Sequence, residues 1–116
     1  MIQGADFVSV PTRDLTRAQE FYGGTLGLPP SGDGDFVGFE AGNITLLLVD
    51  PDAIGVAFSP NQNGFALRVA DVAEARRELE AKGVEFFGEV VDTGVRQMAF
   101  FADPDGNGIA LHRRNA

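Results

Sequence analysis

The sequence has no cysteine and only one histidine among its 116 residues. The absence of cysteine excludes a disulfide framework, a thiolate nucleophile and a thiolate metal site. Basic residues are also scarce: nine Lys and Arg stand against 17 Asp and Glu, which gives a formal net charge of −8. Nucleic-acid binding needs clustered basic side chains, and an anionic membrane surface repels an acidic protein. We therefore expect neither partner, and the acidic charge favours solubility and a cationic ligand.

Long apolar runs are missing as well. No stretch of the sequence approaches the roughly 18 apolar residues that a transmembrane helix needs, and residues 1–4 lack the basic and apolar regions of a signal peptide. We therefore expect a cytoplasmic protein. With 44% hydrophobic residues, the chain has enough apolar side chains to form the core of one ordinary domain.

The two halves of the chain repeat one pattern at an offset of 57 residues, the separation of Asp14 and Asp71. In each half, alternating apolar residues that indicate a half-buried strand lead to the aspartate, which predicts a helix N-cap. Apolar residues spaced three and four apart then predict an amphipathic helix packed on a sheet. Those helix faces are Leu15, Ala18, Tyr22 and Leu26 in the first half and Val72, Ala75 and Leu79 in the second.

Glycines and turn residues divide the rest of each half into strands. Gly83 is expected to end the second helix, and Gly23 with Gly24 to weaken the end of the first. In the second half we predict strands over residues 84–91, 97–102 and 108–113. In the first half, residues 35–41 and 43–49 are clear strands that turn at Gly42, and residues 27–34 form a weaker one.

These elements predict an α+β fold of two tandem βαβββ modules within a single domain of residues 1–116. Module one covers about residues 5–50, a linker residues 51–63, and module two about residues 64–114. The linker is either a plain connector or a lid over a site. Each module has fewer than about 60 residues, which is marginal for an independent core, so the sheets must be buried together or against those of a second chain.

Two motifs, together with the internal repeat, make the chain resemble the vicinal oxygen chelate superfamily, also called the glyoxalase/bleomycin resistance protein/dioxygenase family. The resemblance covers nearly the whole chain. It implies paired βαβββ modules whose curled mixed sheets form a cup with the ligand site on its concave side, and it implies a homodimer. The motifs are Asp14-Leu15-(x)2-Ala18-(x)2-Phe21-Tyr22-(x)3-Leu26-Gly27 and Phe101-Ala102-Asp103-Pro104-Asp105-Gly106-Asn107.

Enzymes of this family hold a divalent metal on His and Glu side chains from the first and last strands of the modules, which the resemblance therefore implies as the ligand positions. In this sequence none of those positions carries a side chain that can chelate a metal. The single histidine, His112, cannot supply the usual two-histidine site within one chain. A site of carboxylates alone, from Glu40, Asp50 or Asp52, stays open. The positions implied for the metal ligands are Phe7, Gly64, Ala110, and Thr45 or Leu47.

Strand alternation predicts which side chains line the implied cup. If Val8 and Val10 pack beneath the first helix, every second residue of each strand faces the cup. We expect no catalytic residue and no metal ligand in this set, and Phe7 has the alternative role of filling the core. The candidate ligand-binding residues are Phe7, Ser9, Thr45, Leu47, Arg68, Gln97 and His112.

The leading hypothesis is a metal-independent small-molecule-binding protein without a cofactor, similar to the antibiotic-sequestering branch of the family. The alternative is a metal-dependent lyase, isomerase or dioxygenase of glyoxalase type, with an atypical site for a divalent metal. A third hypothesis is a sensor or scaffold subunit that binds a metabolite. Whether the protein is an enzyme stays open, although the missing metal ligands favour a protein without catalytic activity.

Overall fold

A computed structural model describes residues 1–32 and 36–115, which form two compact units, Met1–Pro60 (unit one) and Asn61–Ala116 (unit two). Each unit combines one mixed β-sheet with one α-helix, and neither sheet closes on itself. The predicted α+β class is confirmed.

Unit one is built on a three-stranded sheet in the order β1-β3-β2. Strand β1 runs parallel to β3, and β2 runs antiparallel to β3. A helical crossover separates β1 from the two later strands, as a parallel pair requires. The elements are β1 (Phe7–Pro11), α1 (Leu15–Gln19), a π-helical turn (Glu20–Thr25), β2 (Val37–Glu40), β3 (Thr45–Val49) and a 3-10 turn (Pro51–Ile54).

The first helix is short because its winding changes at Glu20, the start of a turn that contains both glycines. After five α-helical residues the chain continues as a π-helical turn, in which the N–H of Leu26 donates to the carbonyl of Phe21 at 2.9 Å. A Cβ at Gly23 would lie 2.9 Å from the ring of Phe39, so glycine allows this turn to approach β2 closely. The predicted weakening of the helix end is confirmed as a change to wider winding.

The weak strand predicted over residues 27–34 is wrong for its described part. Only Pro30 forms a bridge, with Phe39, and Ser31 donates its N–H to the carbonyl of Gly38 at 2.9 Å. Two prolines without N–H groups account for this, because they cannot donate to a strand ladder. The end of the predicted segment (Asp33 and Gly34) and the predicted strand start at Asp35 lie outside the described residues.

Unit two is built on a four-stranded sheet in the order β4-β7-β6-β5, with β4 and β7 parallel and the other pairs antiparallel. The three strands predicted for this half are confirmed, with ends shifted by at most two residues. The helix ends before Gly83, whose φ of +95° suits a glycine. The elements are β4 (Phe65–Arg68), α2 (Val72–Ala81), β5 (Phe86–Asp92), β6 (Arg96–Ala102) and β7 (Gly108–Arg114).

One face of each sheet packs against helical residues and forms the core of its unit. In unit one, Tyr22 is fully buried and stacks on Phe39, with ring centroids 6.3 Å apart. In unit two, the Arg76 guanidinium of α2 lies 5.0 Å from the centre of the Phe86 ring, which itself contacts Phe101. Because side chains alternate along a strand, each sheet has a second face that its own helix does not cover. We call these two surfaces open face one and open face two.

Candidate ligand-binding faces

The strand register of unit one brings four predicted site residues together on open face one. Val10 is buried on the helix-covered side, so its neighbour Ser9 points to the opposite side, and so does Phe7. Phe7 pairs with Thr45, and Ser9 pairs with Leu47. The Phe7 ring is 51% exposed, so it does not fill the core of its unit.

Two further residues belong to open face one, and the sequence analysis did not place them there. Glu40 pairs with Thr45, and its Oε1 accepts a hydrogen bond from the Thr45 hydroxyl at 2.9 Å. Gly38 pairs with Leu47, and a Cβ there would lie 2.7 Å from the Ser31 hydroxyl oxygen. Ser31 therefore covers the glycine and adds a hydroxyl to the face. These positions follow from the β2–β3 register, which the sequence alone does not fix.

Open face two brings Arg68 and His112 together, because the register pairs them across β4 and β7. Gln97 does not join them. It lies on the helix-covered side with Ala99, pairs with Asp92 and donates its amide to the Asp92 Oδ2 at 3.3 Å. The residue of β6 that faces the same way as His112 is its partner Met98.

The sequence analysis missed two arginines on open face two. Arg96 and Arg114 are paired directly across β6 and β7, each two residues beyond the Met98–His112 pair. Their signal in the sequence is the period of two that relates Arg96 to Met98 and Arg114 to His112. The paired positions on this face carry no carboxylate: they are Ala66, Arg68, Phe87, Val91, Arg96, Met98, Phe100, Ala102, Ala110, His112 and Arg114.

The basic side chains of open face two have no ion-pair partner within the described part of the chain. Among residues 1–32 and 36–115, no ion pair involves the guanidinium of Arg68, Arg96 or Arg114. The Nε2 of His112 is shielded from solvent and has no hydrogen-bond partner there. Such a nitrogen carries a desolvation cost that only a partner relieves.

The register also decides which residues occupy the metal-ligand positions implied by the family resemblance. Ser9 and Ala66 are 57 residues apart, and they pair with Leu47 and Ala110 respectively. Leu47, rather than Thr45, is therefore the counterpart of Ala110. A side chain at Gly64 would overlap the carbonyl oxygen of Gly108, so that position accepts no ligand at all.

The donor groups of the described residues do not fit a divalent metal. No group of three or more His, Cys, Asp or Glu side chains converges anywhere in residues 1–32 and 36–115. Two of the three carboxylates considered for a carboxylate-only site have local partners instead. Asp50 caps the 3-10 turn by accepting from the N–H of Asp52 at 3.0 Å, and Glu40 is bound to Thr45.

Both ends of the segment predicted as a linker are anchored within their own units. Pro51 is buried at its start, and the Arg13 guanidinium lies 4.1 Å from the centre of the Phe58 ring. At its end, the N–H of Asn61 donates to Asn107 Oδ1 at 2.8 Å, and Asn61 accepts from the N–H of Gly108 at 2.9 Å. These anchors favour a connector, and the lid stays a prediction.

Comparison with known proteins places this architecture in one class. The model of the Glyoxalase/Bleomycin resistance protein/Dioxygenase superfamily matches residues 4–111, and the chain belongs to that superfamily. A search of curated proteins finds no match. Within the described residues, no helix is both long enough and apolar enough to cross a lipid bilayer.

Solved structures with the same fold cover nearly the whole chain. TnmS3, an antibiotic binding protein from Streptomyces sp. CB03234, is 29% identical with a TM-score of 0.82, and the match covers 98% of both chains. A glyoxalase/bleomycin resistance protein from the same organism is 30% identical with a TM-score of 0.76, over 95% of this chain and 100% of that one. A putative glyoxalase family protein from Bacillus anthracis has a TM-score of 0.82 at 23% identity, over 99% and 98% of the two chains, and shows the fold alone.

Proposed function

We propose that this protein binds a small molecule without the help of a metal and holds it away from its target, with an antibiotic as the leading candidate. One observation carries the proposal: the family's metal-ligand positions hold a phenyl ring, a leucine and two residues too small to coordinate (Phe7, Leu47, Gly64 and Ala110). A chelating scaffold without donor groups retains its binding surface and loses its Lewis acid. The similarity to an antibiotic binding protein over 98% of the chain supports the same function.

Open face one supplies the contacts that such binding needs. Phe7 offers an exposed ring for stacking, Leu47 offers apolar area, and the Thr45–Glu40 pair offers hydrogen-bonding groups beside them. Ligand sites are commonly built from apolar surface with a few polar groups that fix orientation. In this proposal the protein orients and shields its ligand, and no bond of the ligand is broken.

Titration calorimetry with metal-free bleomycin and a panel of aromatic antibiotics, each with and without EDTA, tests the proposal. We expect at least one ligand to bind equally well in both conditions and to raise the melting temperature of the protein. Binding that disappears with EDTA, or stoichiometric Ni, Zn, Mn or Fe in protein purified without chelator, would contradict metal-independent binding. If no compound of the panel gives heat or a thermal shift, an antibiotic is excluded as the ligand.

A matched pair of variants locates the bound ligand. Phe7→Ala removes a ring from open face one, whereas Ile54→Ala removes an apolar side chain of similar exposure (60% against 51%) from the 3-10 turn. We expect Phe7→Ala to weaken binding about tenfold, which corresponds to the loss of one stacking contact of about 1.4 kcal/mol. Ile54→Ala should leave the affinity unchanged. Equal effects of the two variants would place the ligand elsewhere.

A cytoplasmic homodimer is part of the same proposal. Its support is the set of large apolar side chains left exposed on single chains, which marks surfaces for association. Sedimentation equilibrium should give twice the mass of one chain, and a monomer at micromolar concentration would contradict the dimer. Members of the set that lie outside the two open faces are Ile2, Leu15 and Val95.

A further inference from the structure

Open face two has a cationic end and an apolar end, separated by one row of mixed character. The row formed by Arg68, His112, Met98 and Val91 runs across all four strands of the sheet. Next to it along the strands, on one side, lies a row of small and aromatic residues: Ala66, Ala110, Phe100 and Phe87. On the other side lies the Arg96–Arg114 pair.

We infer that open face two recognises an aromatic small molecule that carries an anionic group, with Arg68 as the principal anion contact. This inference rests on the proposed function, because it adds a second binding surface to open face one and specifies the chemistry of the ligand that this second surface takes. An arginine matches a carboxylate or a similar planar anion through two parallel N–H···O bonds. Arg68 is exposed and has no ion pair among the described residues.

The charge on this face is unbalanced in a way that an anion would correct. Arg96 and Arg114 lie directly opposite each other on neighbouring strands, and like charges in that arrangement destabilise a sheet. None of the paired positions on the face offers a carboxylate as a counter-ion. Bound anionic ligand therefore reduces the repulsion and gains favourable interactions with three guanidinium groups.

The unsatisfied nitrogen of His112 supports the same site. Its Nε2 has no partner among the described residues, and it belongs to the residue paired with Arg68. A ring rotation that turns this nitrogen toward a ligand would satisfy it. The guanidinium and the imidazole would then contact the same polar group from adjacent strands, which are about 5 Å apart.

The local charge reverses the expectation drawn from the net charge. Unit one contains two basic and eight acidic residues, whereas unit two contains seven and nine, so most of the net charge of −8 belongs to unit one. The charged residues at the paired positions of open face two are all positive, whereas Glu89 lies in the register shift of β5 between Phe87 and Val91 and has no paired partner. A cationic ligand is therefore disfavoured on this face, although the whole protein is acidic.

The apolar end of open face two determines the chemistry of the part of the ligand that carries no charge. Phe100 and Phe87 are 37% and 61% exposed, and their row lies about 7 Å along the strands from the Arg68 row, the rise of two residues. A carboxylate attached directly to a fused ring system of two to four rings spans that distance. The class of ligand is therefore a polycyclic aromatic anion.

Three pyrene probes of nearly equal shape test the charge preference: 1-pyrenecarboxylate, the neutral 1-pyrenecarboxamide and the cationic 1-pyrenemethylammonium. Fluorescence titration gives the dissociation constant of each for the intact protein. We expect the carboxylate to bind at least about tenfold more tightly than the amide, the smallest factor expected for a charge-assisted hydrogen bond, and the cation to bind most weakly. Equal binding of the three, a preference for the cation, or no binding of the carboxylate overturns the inference.

Variants then assign the preference to this face. Arg68→Gln should remove most of the carboxylate preference while leaving the amide affinity within about twofold, and Arg68→Lys should retain part of it. Arg114→Gln should reduce the preference less. Arg77→Gln is the control, since Arg77 is an exposed arginine of α2 and the variant loses the same charge. A preference that survives both Arg68→Gln and Arg114→Gln, or that falls equally in Arg77→Gln, contradicts the assignment.

The outcome separates this inference from the function on which it rests. If an antibiotic binds without a metal but the pyrene series shows no charge preference, the inference fails and the proposed function stands. If the pyrene carboxylate binds through Arg68 while the antibiotic panel gives no heat, the anion site stands and an antibiotic is excluded as the ligand. Each protein variant must first give the wild-type melting temperature within about 2 °C, so that altered affinity does not report altered folding.

Discussion

Units one and two begin in the same way and then diverge. In both, an aspartate with a φ of −145° follows the first strand and caps the helix. It accepts from the N–H three residues later at 3.0 Å, Asp14 from Arg17 and Asp71 from Glu74. After that cap, the helix of unit two runs for ten α-helical residues, whereas that of unit one runs for five before the π-helical turn. The cap is a local structure that its own residues determine, whereas the length of the helix depends on what it packs against.

The final turns differ in the same way. In unit one, the turn before β3 is closed by one backbone bond, from the N–H of Ala41 to the carbonyl of Ile44 at 2.9 Å. In unit two, Asp103 Oδ1 accepts from the N–H groups of Asp105 and Asn107, and Asp103 Oδ2 accepts from the Asn107 amide at 2.8 Å. Unit two therefore has a buried polar network where unit one has a simple turn, and we expect unit two to be more sensitive to substitution there.

The largest expected effect concerns Gly64, which precedes the first strand of unit two. Gly64→Ala places a Cβ onto the carbonyl oxygen of Gly108, and neither backbone can yield easily. We expect a loss of about 3 kcal/mol in the free energy of unfolding, measured by urea denaturation. Gly24→Ala in unit one is the control, because nothing lies within 4 Å of the added atom. Similar losses in both variants would show that the close approach of Gly64 and Gly108 does not exist.

The next effect tests the turn network. Asn107→Ala removes the amide that binds Asp103 and the oxygen that accepts from the N–H of Asn61, both within unit two. Because Asn107 is buried, the partners it leaves cannot turn to solvent, and we expect a loss of about 2 kcal/mol. The matched control is Asn43→Ala in unit one, an exposed residue of the corresponding turn, for which the change should stay within about 0.5 kcal/mol. Equal losses would remove the contrast between the two turns.

The helix caps provide the test in which the two units should agree. Asp14→Ala and Asp71→Ala each remove one hydrogen bond of the same geometry, so both should lower the free energy of unfolding by about 1 kcal/mol. Asp→Asn variants at the two positions keep an acceptor and should lose less. A loss in unit two several times that in unit one would mean that the longer helix depends on its cap and the shorter one does not.

Features that depend on neighbours in sequence were predictable. The repeat located both caps, and the turn residues located all three later strands of unit two, because caps and turns are formed by residues within four positions of one another. The residue types at the positions implied for the metal ligands were also readable, because they come directly from the sequence, and the absence of a metal stays a prediction.

Features that depend on register were not predictable. The choice between Thr45 and Leu47 as the counterpart of Ala110 needed the β1–β3 pairing, because a shift of two residues leaves the facing of every side chain unchanged. Gln97 was grouped with His112 without a register for β6, and the pairing places it on the other face. Arg96 and Arg114 are 18 residues apart in the sequence (114 − 96), and only the pairing of β6 with β7 brings their charges together.

A smaller effect concerns His112, whose replacement should raise the stability of the protein and weaken ligand binding. His112→Leu replaces a ring that has an unsatisfied nitrogen by an apolar side chain, so the free energy of unfolding of the unliganded protein should rise, by up to about 1 kcal/mol. The same change should weaken binding of 1-pyrenecarboxylate, since the ligand loses a polar partner. The corresponding position in unit one is Val49, which is paired with Pro11. Val49→Leu should not combine a higher free energy of unfolding with weaker binding of 1-pyrenecarboxylate. A destabilised variant would mean that the imidazole already has a partner.

The smallest effect appears only in acid and again belongs to unit two. The N–H of Gly94, and after it the amide of Gln97, hold the pKa of Asp92 below the ordinary value for an aspartate, because both donate to the ionised carboxylate. A lowered pKa in the folded state stabilises the protein above the pKa of the unfolded chain, and this contribution disappears as the pH falls through the folded pKa. Asp92→Asn should therefore be less stable than wild type at pH 6, and the difference should shrink as the pH falls below about 4. Urea denaturation at a series of pH values measures it, with the exposed Glu89→Gln of the same strand as the charge-matched control. A difference that stays constant with pH would mean that the turn is held by its backbone geometry and not by the charge of Asp92.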